Sequence, residues 1–301
     1  MNQRRVLVAG GTGLLGHALL DAAPDGWEVE ATWHLRRPPD AEQTKFHPLD
    51  VLDEDAVFRL IDAWRPDVVV HAASVGSVDL AERDPETVRR VNVGGLQNVA
   101  RACARVGATL VFISSNAVFD GAAPPYAEDA AVHAVNTYGA IKIEAEQWLQ
   151  SANVPHVIFR PLLMYGWPLP DGRSNAVTRW LNDLEAGRPV DVADDIHSMP
   201  LHAGNCADAI WAAIRLDRRG VYHVAGADRV TLVAFARETA RVFDLPMALI
   251  RPVPSEHFTA FAPRPTDTSF TTTKMVRELG VRPSGIREGL AAMRRAREQA
   301  R

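Results

Sequence analysis

Arg5-Val6-Leu7-Val8-Ala9-Gly10-Gly11-Thr12-Gly13-Leu14-Leu15-Gly16 is the stretch on which the fold is decided. Five mainly aliphatic residues run straight into a glycine cluster, and the helical pattern from Leu14 to Ala23 follows at once. That order reads as strand, tight turn, helix. Glycine is needed where the turn is sharp and where a backbone must approach a diphosphate, and a third glycine lets the helix pack closely on its strand. The helix N-terminus then offers N–H groups to phosphate oxygens. Gly10, Thr12, Gly13, Leu14, Leu15 and Gly16 are therefore expected to line a dinucleotide site.

Outward from this turn, strand-like runs alternate with helix-length segments. Strands are expected at Trp27–Trp33, Lys45–Pro48, Val68–His71, Thr109–Ser114 and Val157–Arg160, with helices at Glu54–Trp64, Pro85–Val106 and Val135–Gln150. This is the pattern of a Rossmann-type, doubly wound parallel α/β sheet. Beyond Arg160 prolines and glycines break the rhythm, and helices follow near Asn175–Ala186, Asn205–Leu216, Leu232–Phe243 and Ile286–Arg301. Residues 1–160 are assigned to the dinucleotide-binding domain. Residues 161–301 are assigned mainly to a smaller α/β substrate lobe, with room for segments that return to the first domain.

Composition narrows the function. The chain has 301 residues with 33 basic and 37 acidic side chains, a formal net charge of -4, and 47% hydrophobic residues. A slightly acidic protein is a poor candidate for dedicated nucleic-acid binding. No apolar run approaches the ~20 residues of a membrane span, and the N-terminus does not read as a signal peptide. Cys103 and Cys206 are too few for a disulfide framework or a cysteine-rich metal site. The expectation is a cytoplasmic protein without a metal.

The second strand bears on cofactor choice. His34-Leu35-Arg36-Arg37 follows it, with no carboxylate where one would accept hydrogen bonds from a ribose 2′-hydroxyl. His34, Arg36 and Arg37 instead suit a 2′-phosphate, which favours NADPH/NADP over NAD. Asp50-Val51, after the third strand, falls where an adenine edge is expected.

The chemistry is carried by Tyr138-Gly139-Ala140-Ile141-Lys142, which sets tyrosine and lysine on one helical face. Lysine occurs three times and tyrosine four times, so this fixed spacing arises by chance only about 0.04 times. A phenol with a pKa near ~10 transfers protons poorly unless a cation stabilises its anion, and Lys142 is expected to supply that charge. Ser115, ending the preceding strand, is placed to hydrogen-bond a substrate carbonyl and fix it for hydride attack.

These segments resemble the extended short-chain dehydrogenases/reductases, and within them the dTDP-4-dehydrorhamnose reductase group. The resemblance is carried by Gly10–Gly16, His71-Ala72-Ala73, Val78–Glu82, Val91-Asn92-Val93, Ser114-Ser115 through Gly121, Pro125–Asp129, Asn136–Gly139 with Lys142, and Arg264-Pro265. It implies Ser115, Tyr138 and Lys142 as a catalytic triad and NADPH as hydride donor. It also implies cofactor contacts from Ala72, Ala73, Ser74, Ser114, Tyr138, Lys142 and Pro161. Arg264 falls on the family's ligand-contacting arginine, and Asn116 adjoins the substrate. Where the group commonly has Asp-Tyr, this chain has Asn116-Ala117, a change inside the sugar pocket.

Tyr165 and Trp167, in the loop after the last strand of the first domain, are candidates to stack on a base or sugar. His197 and His202 read as structural histidines, and Asp194-Asp195 as a solvated turn. The implied activity is reduction of a keto group on a nucleotide-activated deoxysugar. Two alternatives stand beside it. One is an NAD-dependent sugar-nucleotide epimerase or dehydratase; the other is a non-catalytic NADP-binding subunit like the methionine adenosyltransferase β subunit. A nucleotide-sugar partner is expected, with no nucleic acid or membrane, and homodimerisation is left open.

Overall fold

The computed structural model describes residues 3–38, 45–170, 172–258 and 262–299. The last two residues of the helix expected at Ile286–Arg301 lie outside them. Seven parallel strands form the central sheet: β1 (Arg5–Ala9), β2 (Glu28–Trp33), β3 (Phe46–Pro48), β4 (Val68–His71), β5 (Thr109–Ile113), β6 (His156–Pro161) and, from far along the chain, a strand at Gly220–Val224. Their order is Gly220–Val224, β6, β5, β4, β1, β2, β3. The order reverses direction beside β1 and β4, the crevice where open α/β sheets bind ligands.

Helices cover both faces, which is why the central strands are apolar throughout rather than alternating. One face carries α2 (Glu54–Trp64), α5 (Gly95–Val106) and α6 (Thr137–Ser151), with Val57, Ile61, Leu96, Val99, Ile141 and Leu149 packed on Leu7, Val69, Leu110 and Phe112. Two short helices, α3 (Val78–Arg83) and α4 (Pro85–Arg89), precede α5. The opposite face carries α1 (Leu14–Asp21) and the later helix Ala203–Arg215, where Leu15, Leu19, Ile210 and Trp211 meet Val6, Val8, Val70 and Val111. Trp211 Nε1 donates to Leu19 O at 3.0 Å, satisfying the one polar atom that indole buries.

The expected helix over Pro85–Val106 is helical throughout, but Arg90–Gly94 forms a π-helical turn between α4 and α5. The widened turn carries Asn92. Its amide accepts from Val75 N at 2.8 Å and donates to Val75 O at 3.1 Å, clamping the loop that leaves β4. Such bulges cluster at functional sites because they re-aim one side chain.

Beyond β6 the chain enters a second core around Val177, Trp180, Leu181, Phe235, Ile250, Leu290 and Met293. It comprises β7 (Met164–Tyr165), α7 (Ala176–Glu185), β8 (Val190–Ala193), β9 (His197–Ser198) and β10 (Leu201–His202), then α8 (Ala203–Arg215) and β11 (Gly220–Val224), which belong to the first layer. β12 (Val230–Thr231), α9 (Leu232–Val242), β13 (Ile250–Val253) and α10 (Ile286–Gln299) complete the chain. β11 pairs with β6 over Val157–Pro161, so α8 and β11 cross the boundary drawn at residue 160. Among the described residues no helix is long and apolar enough to cross a membrane.

Candidate active site

The turn after β1 is built as its glycines require. Gly10 has φ +91°, and a Cβ there would lie 2.7 Å from Ala73 N. A Cβ on Gly16 would lie 2.2 Å from Gly10 O, so the close seat of α1 on the turn needs glycine at both positions. Gly11 N donates to Thr32 O at 2.8 Å and Gly13 N to Gly10 O at 3.0 Å, fixing the loop against β2. Among the described residues no side chain caps α1, and its first turn holds no carboxylate. Thr12 and the Leu14–Gly16 backbone thus border an open, partially positive helix end, a donor set that fits a dinucleotide's diphosphate. The pairing of Ala9 with His71 sets Ala72 and Ala73 beside this turn, and Ala72 N donates to Ala9 O at 2.9 Å. Ser74 is exposed just beyond.

His34, Arg36 and Arg37 are all exposed past the end of β2. Asp50 is a turn former here: its carboxylate accepts from Leu52 N at 2.9 Å. Val51 is buried; its side chain fills the space that Gly95 leaves empty, and Asn98 Nδ2 donates to its carbonyl at 3.0 Å. Val51 thus turns its side chain into the core, while Asp50 stays half-buried after β3.

The start of α6 is held from three directions. Asn136 caps it, accepting from Gly139 N at 2.8 Å and donating to Pro263 O at 3.0 Å. Thr137 donates through N and Oγ1 to the Glu82 carboxylate of α3, at 2.7 and 2.8 Å. Gly139 lies against the loop after β5: a Cβ there would be 2.1 Å from Ala117 O. Gly139→Ala is accordingly expected to cost about 1–3 kcal/mol, read by urea unfolding, because backbone and not a flexible side chain must move.

This anchoring places Tyr138 and Lys142 together. Tyr138 is 8% exposed and Lys142 1%. Lys142 Nζ donates to Ile113 O at 3.0 Å and lies 5.8 Å from the centre of the Tyr138 ring. Burial pushes the Tyr138 phenol up to about 12, opposed by a hydrogen bond from Ser115 and by the charge of Arg173. Burial pushes the Lys142 ammonium down to about 8, opposed by Glu146. His71, buried beneath them and stacked on Phe112, is driven down to about 3 by burial and by Lys142, so it is neutral.

Ser115 Oγ caps the short turn Asn116–Val118, accepting from Ala117 N at 3.1 Å. Asn116 Nδ2 donates to Thr268 Oγ1 at 2.7 Å, tying this loop to the C-terminal lobe. The Ser114 hydroxyl donates to Glu146 in the interior. Pro161 ends β6 in a buried position. Arg264 pairs with Asp79 of α3 at 2.9 Å and reaches the Ala262 carbonyl, next to Pro263, whose carbonyl accepts from the Asn136 cap.

Tyr165 is not a ligand-stacking residue. It is 1% exposed, packs edge-on against Phe235, and donates to Ile286 O at 3.3 Å in the lobe's own core. Trp167 is half-buried with Nε1 donating to Met293 O at 2.8 Å. Both aromatics build the lobe, because the loop after β6 turns them toward α9 and α10. Asn92, Glu82 and Arg173 received no role from the residues alone; the partners of the first two lie 17 and 55 positions away.

Residues 4–298 match the family model described as the RmlD substrate binding domain. A methionine adenosyltransferase 2 subunit beta of Xenopus laevis is 32% identical over 301 residues, spanning 95% of this chain and 87% of that protein. A dTDP-4-dehydrorhamnose reductase of Aggregatibacter actinomycetemcomitans is 27% identical over 305 residues, spanning 96% and 98%. The crystal structure of a dTDP-4-dehydrorhamnose reductase from Bacillus anthracis str. Ames, in complex with NADP, is similar with a TM-score of 0.86 at 26% identity, over 98% of this chain and 100% of that one.

Proposed function

Because the chain belongs to the RmlD substrate binding domain family, we propose that it is an NADPH-dependent reductase acting on a keto group of a nucleotide-activated deoxysugar. The observation that carries this reading is the juxtaposition of Ser115, Tyr138 and Lys142 at the edge of the sheet beside an uncapped α1. NADPH, when bound, supplies the hydride. Everything else falls to the chain's own side chains. The α1 N-terminus holds the diphosphate and Arg36 with Arg37 meets the 2′-phosphate. Ser115 hydrogen-bonds the substrate carbonyl oxygen and Tyr138 donates its proton to it. Lys142, still an ammonium at neutral pH because its pKa is about 8, orients the ribose and offsets the negative charge that the proton leaves behind.

The direct test is a panel of 4-keto nucleotide sugars offered with NADPH while its absorbance is followed. Consumption with at least one of them supports the reading, and none with any of them removes it. Cofactor choice gives a second check. NADPH is expected to bind about ten- to hundredfold more tightly than NADH, the scale of one or two charge-assisted contacts, and Arg36→Ala to narrow the gap. Fluorescence titration with both cofactors reads this, and equal affinities would argue instead for an NAD-retaining epimerase-type site.

A second reading rests on the 32% identity to the methionine adenosyltransferase subunit. In it the chain is a nucleotide-binding subunit of a larger assembly. Stable co-purification with a methionine adenosyltransferase catalytic chain, unaltered by Tyr138→Phe, together with no ketosugar turnover, is the result that selects it.

A further inference from the structure

Residues 262–270 run from the C-terminal lobe back over the loop that follows β5, and they are held along their length. Pro263 O accepts from the Asn136 cap at 3.0 Å, His197 N donates to Thr266 O at 2.7 Å, and Tyr126 N donates to Ser269 O at 2.8 Å. The Asp267 carboxylate accepts from Arg229 Nε at 2.9 Å and from Ser269 N at 2.8 Å, fixing the chain on both sides of Thr268. Gly121, at φ +81°, lets the two segments meet: a Cβ there would lie 2.7 Å from Pro265 Cβ and 2.9 Å from Asp267 O. Thr268, 6% exposed, is thus a fixed point beside the Ser115 loop. From it a short chain of hydrogen bonds leads to Ser115. Asn116 Nδ2 donates to Thr268 Oγ1 at 2.7 Å, and Ser115 Oγ donates to Asn116 Oδ1 at 3.4 Å. With its NH₂ committed to Thr268, the amide presents its carbonyl end to Ser115. The Ser115 oxygen already accepts from Ala117 N at 3.1 Å, so its one proton is what Asn116 Oδ1 directs. At 3.4 Å this contact is looser than the ~2.7 Å of a tight hydroxyl bond, so it aims the proton without keeping it from a better acceptor.

We propose that Thr268 is a positioning residue for Ser115, acting through Asn116 to set the direction of the hydroxyl that meets the substrate carbonyl. This rests on the reductase reading for the reaction it serves. A serine hydroxyl left to itself rotates to suit its surroundings, and the order it lacks must be supplied when the carbonyl arrives. Here Ala117 N takes up the oxygen and Asn116 Oδ1 the proton, so the hydroxyl is ordered beforehand. Thr268 keeps the Asn116 amide from turning over. Reversed, the amide would bring a second N–H to an oxygen already bonded by Ala117 N and leave the hydroxyl proton undirected. Asn116 and Thr268 stand 152 positions apart, so the far lobe takes part in orienting the carbonyl through one side chain.

The test is a double-mutant cycle in the full-length protein, read as ketosugar turnover with NADPH. Thr268→Val keeps the shape of the side chain and removes the acceptor oxygen. It is expected to lower kcat about tenfold at unchanged KM, part of the roughly 10²–10³ that outright loss of such a donor costs. Thr268→Ser is expected to restore most of it. In a Ser115→Ala background, Thr268→Val is expected to change kcat by less than about twofold, because the hydroxyl it positions is gone. An equal loss with and without Ser115 overturns the proposal, and so does wild-type kcat in Thr268→Val. A raised KM at unchanged kcat assigns the Thr268–Asn116 contact to substrate binding and also overturns it. A readout without turnover is the Asn116 side-chain amide in ¹⁵N-labelled protein saturated with NADP⁺, assigned by its loss in Asn116→Asp. Thr268→Val and Ser115→Ala are each expected to shift it, and a signal that either substitution leaves unmoved overturns the proposal. If the wild type reduces no ketosugar, the reductase reading fails on its own, while the amide signal still decides whether Thr268 holds Asn116 against Ser115.

Discussion

Tyr138→Phe is expected to lower ketosugar turnover by about 10²–10⁴, the range for a positioned general acid, while NADPH affinity and folding stay near wild type. The substitution removes one oxygen from a ring whose packing is otherwise kept. Nothing that anchors α6 is lost, because Asn136 and Glu82 hold its first turn without the phenol. Single-turnover kinetics separate the chemical step from binding, and wild-type rates in the variant would refute Tyr138 as the acid. The pH dependence has a defined sign. Lys142 is charged below about 8 and neutral above it, so reduction is expected to decline as the pH rises through that value. Tyr138, up at about 12, remains protonated across that range and able to donate.

The residues that were legible in the sequence owe it to local causes. The glycine turn, the Tyr138–Lys142 spacing and the Ser115 strand end each depend on backbone conformation or helical periodicity within a few residues, and the structure brings all three to one edge of the sheet. What was not legible depends on long-range pairing. The return of α8 and β11 to the first layer is a matter of which strand edge remained free beside β6, and a helix followed by a short strand reads the same in either lobe. Tyr165 and Trp167 carry an aromatic signal that fits a ligand platform as well as a core, and only the direction of the loop after β6 decides between them. One signal was available and unused. Glu146 follows Lys142 by four positions and Tyr138 by eight, on the same helical face, while Arg160 ends an otherwise apolar strand. Charges at such buried positions imply each other.

That buried pair supplies the second large effect. Arg160 Nη2 donates to Glu146 Oε2 at 2.6 Å and Nε to Oε1 at 3.0 Å, with the two side chains 5% and 4% exposed. Ser114 donates to the same carboxylate, and Arg160 lies over the Phe119 ring with Nη1 near His223 Nε2. Arg160→Leu leaves Glu146 charged, buried and without its cation. The expected cost is about 3–5 kcal/mol, a shift of hundreds- to thousandsfold in the folding equilibrium, measured as a lowered urea midpoint. Replacing both members by leucine is expected to recover much of that loss, since neither member of the pair is then left buried without the other. A double variant no more stable than Arg160→Leu would show that the pair is favourable in itself. The pair also reaches the chemistry, because Glu146 is the group that opposes the lowering of Lys142. Glu146→Gln keeps the shape and removes the charge, so the Lys142 ammonium loses its stabilising neighbour and its pKa falls further. The alkaline decline of turnover is then expected to begin at a lower pH than in wild type. An unmoved profile would confine Glu146 to holding the fold, and a shifted one would make the ion pair beneath the sheet edge part of how the lysine above it keeps its proton.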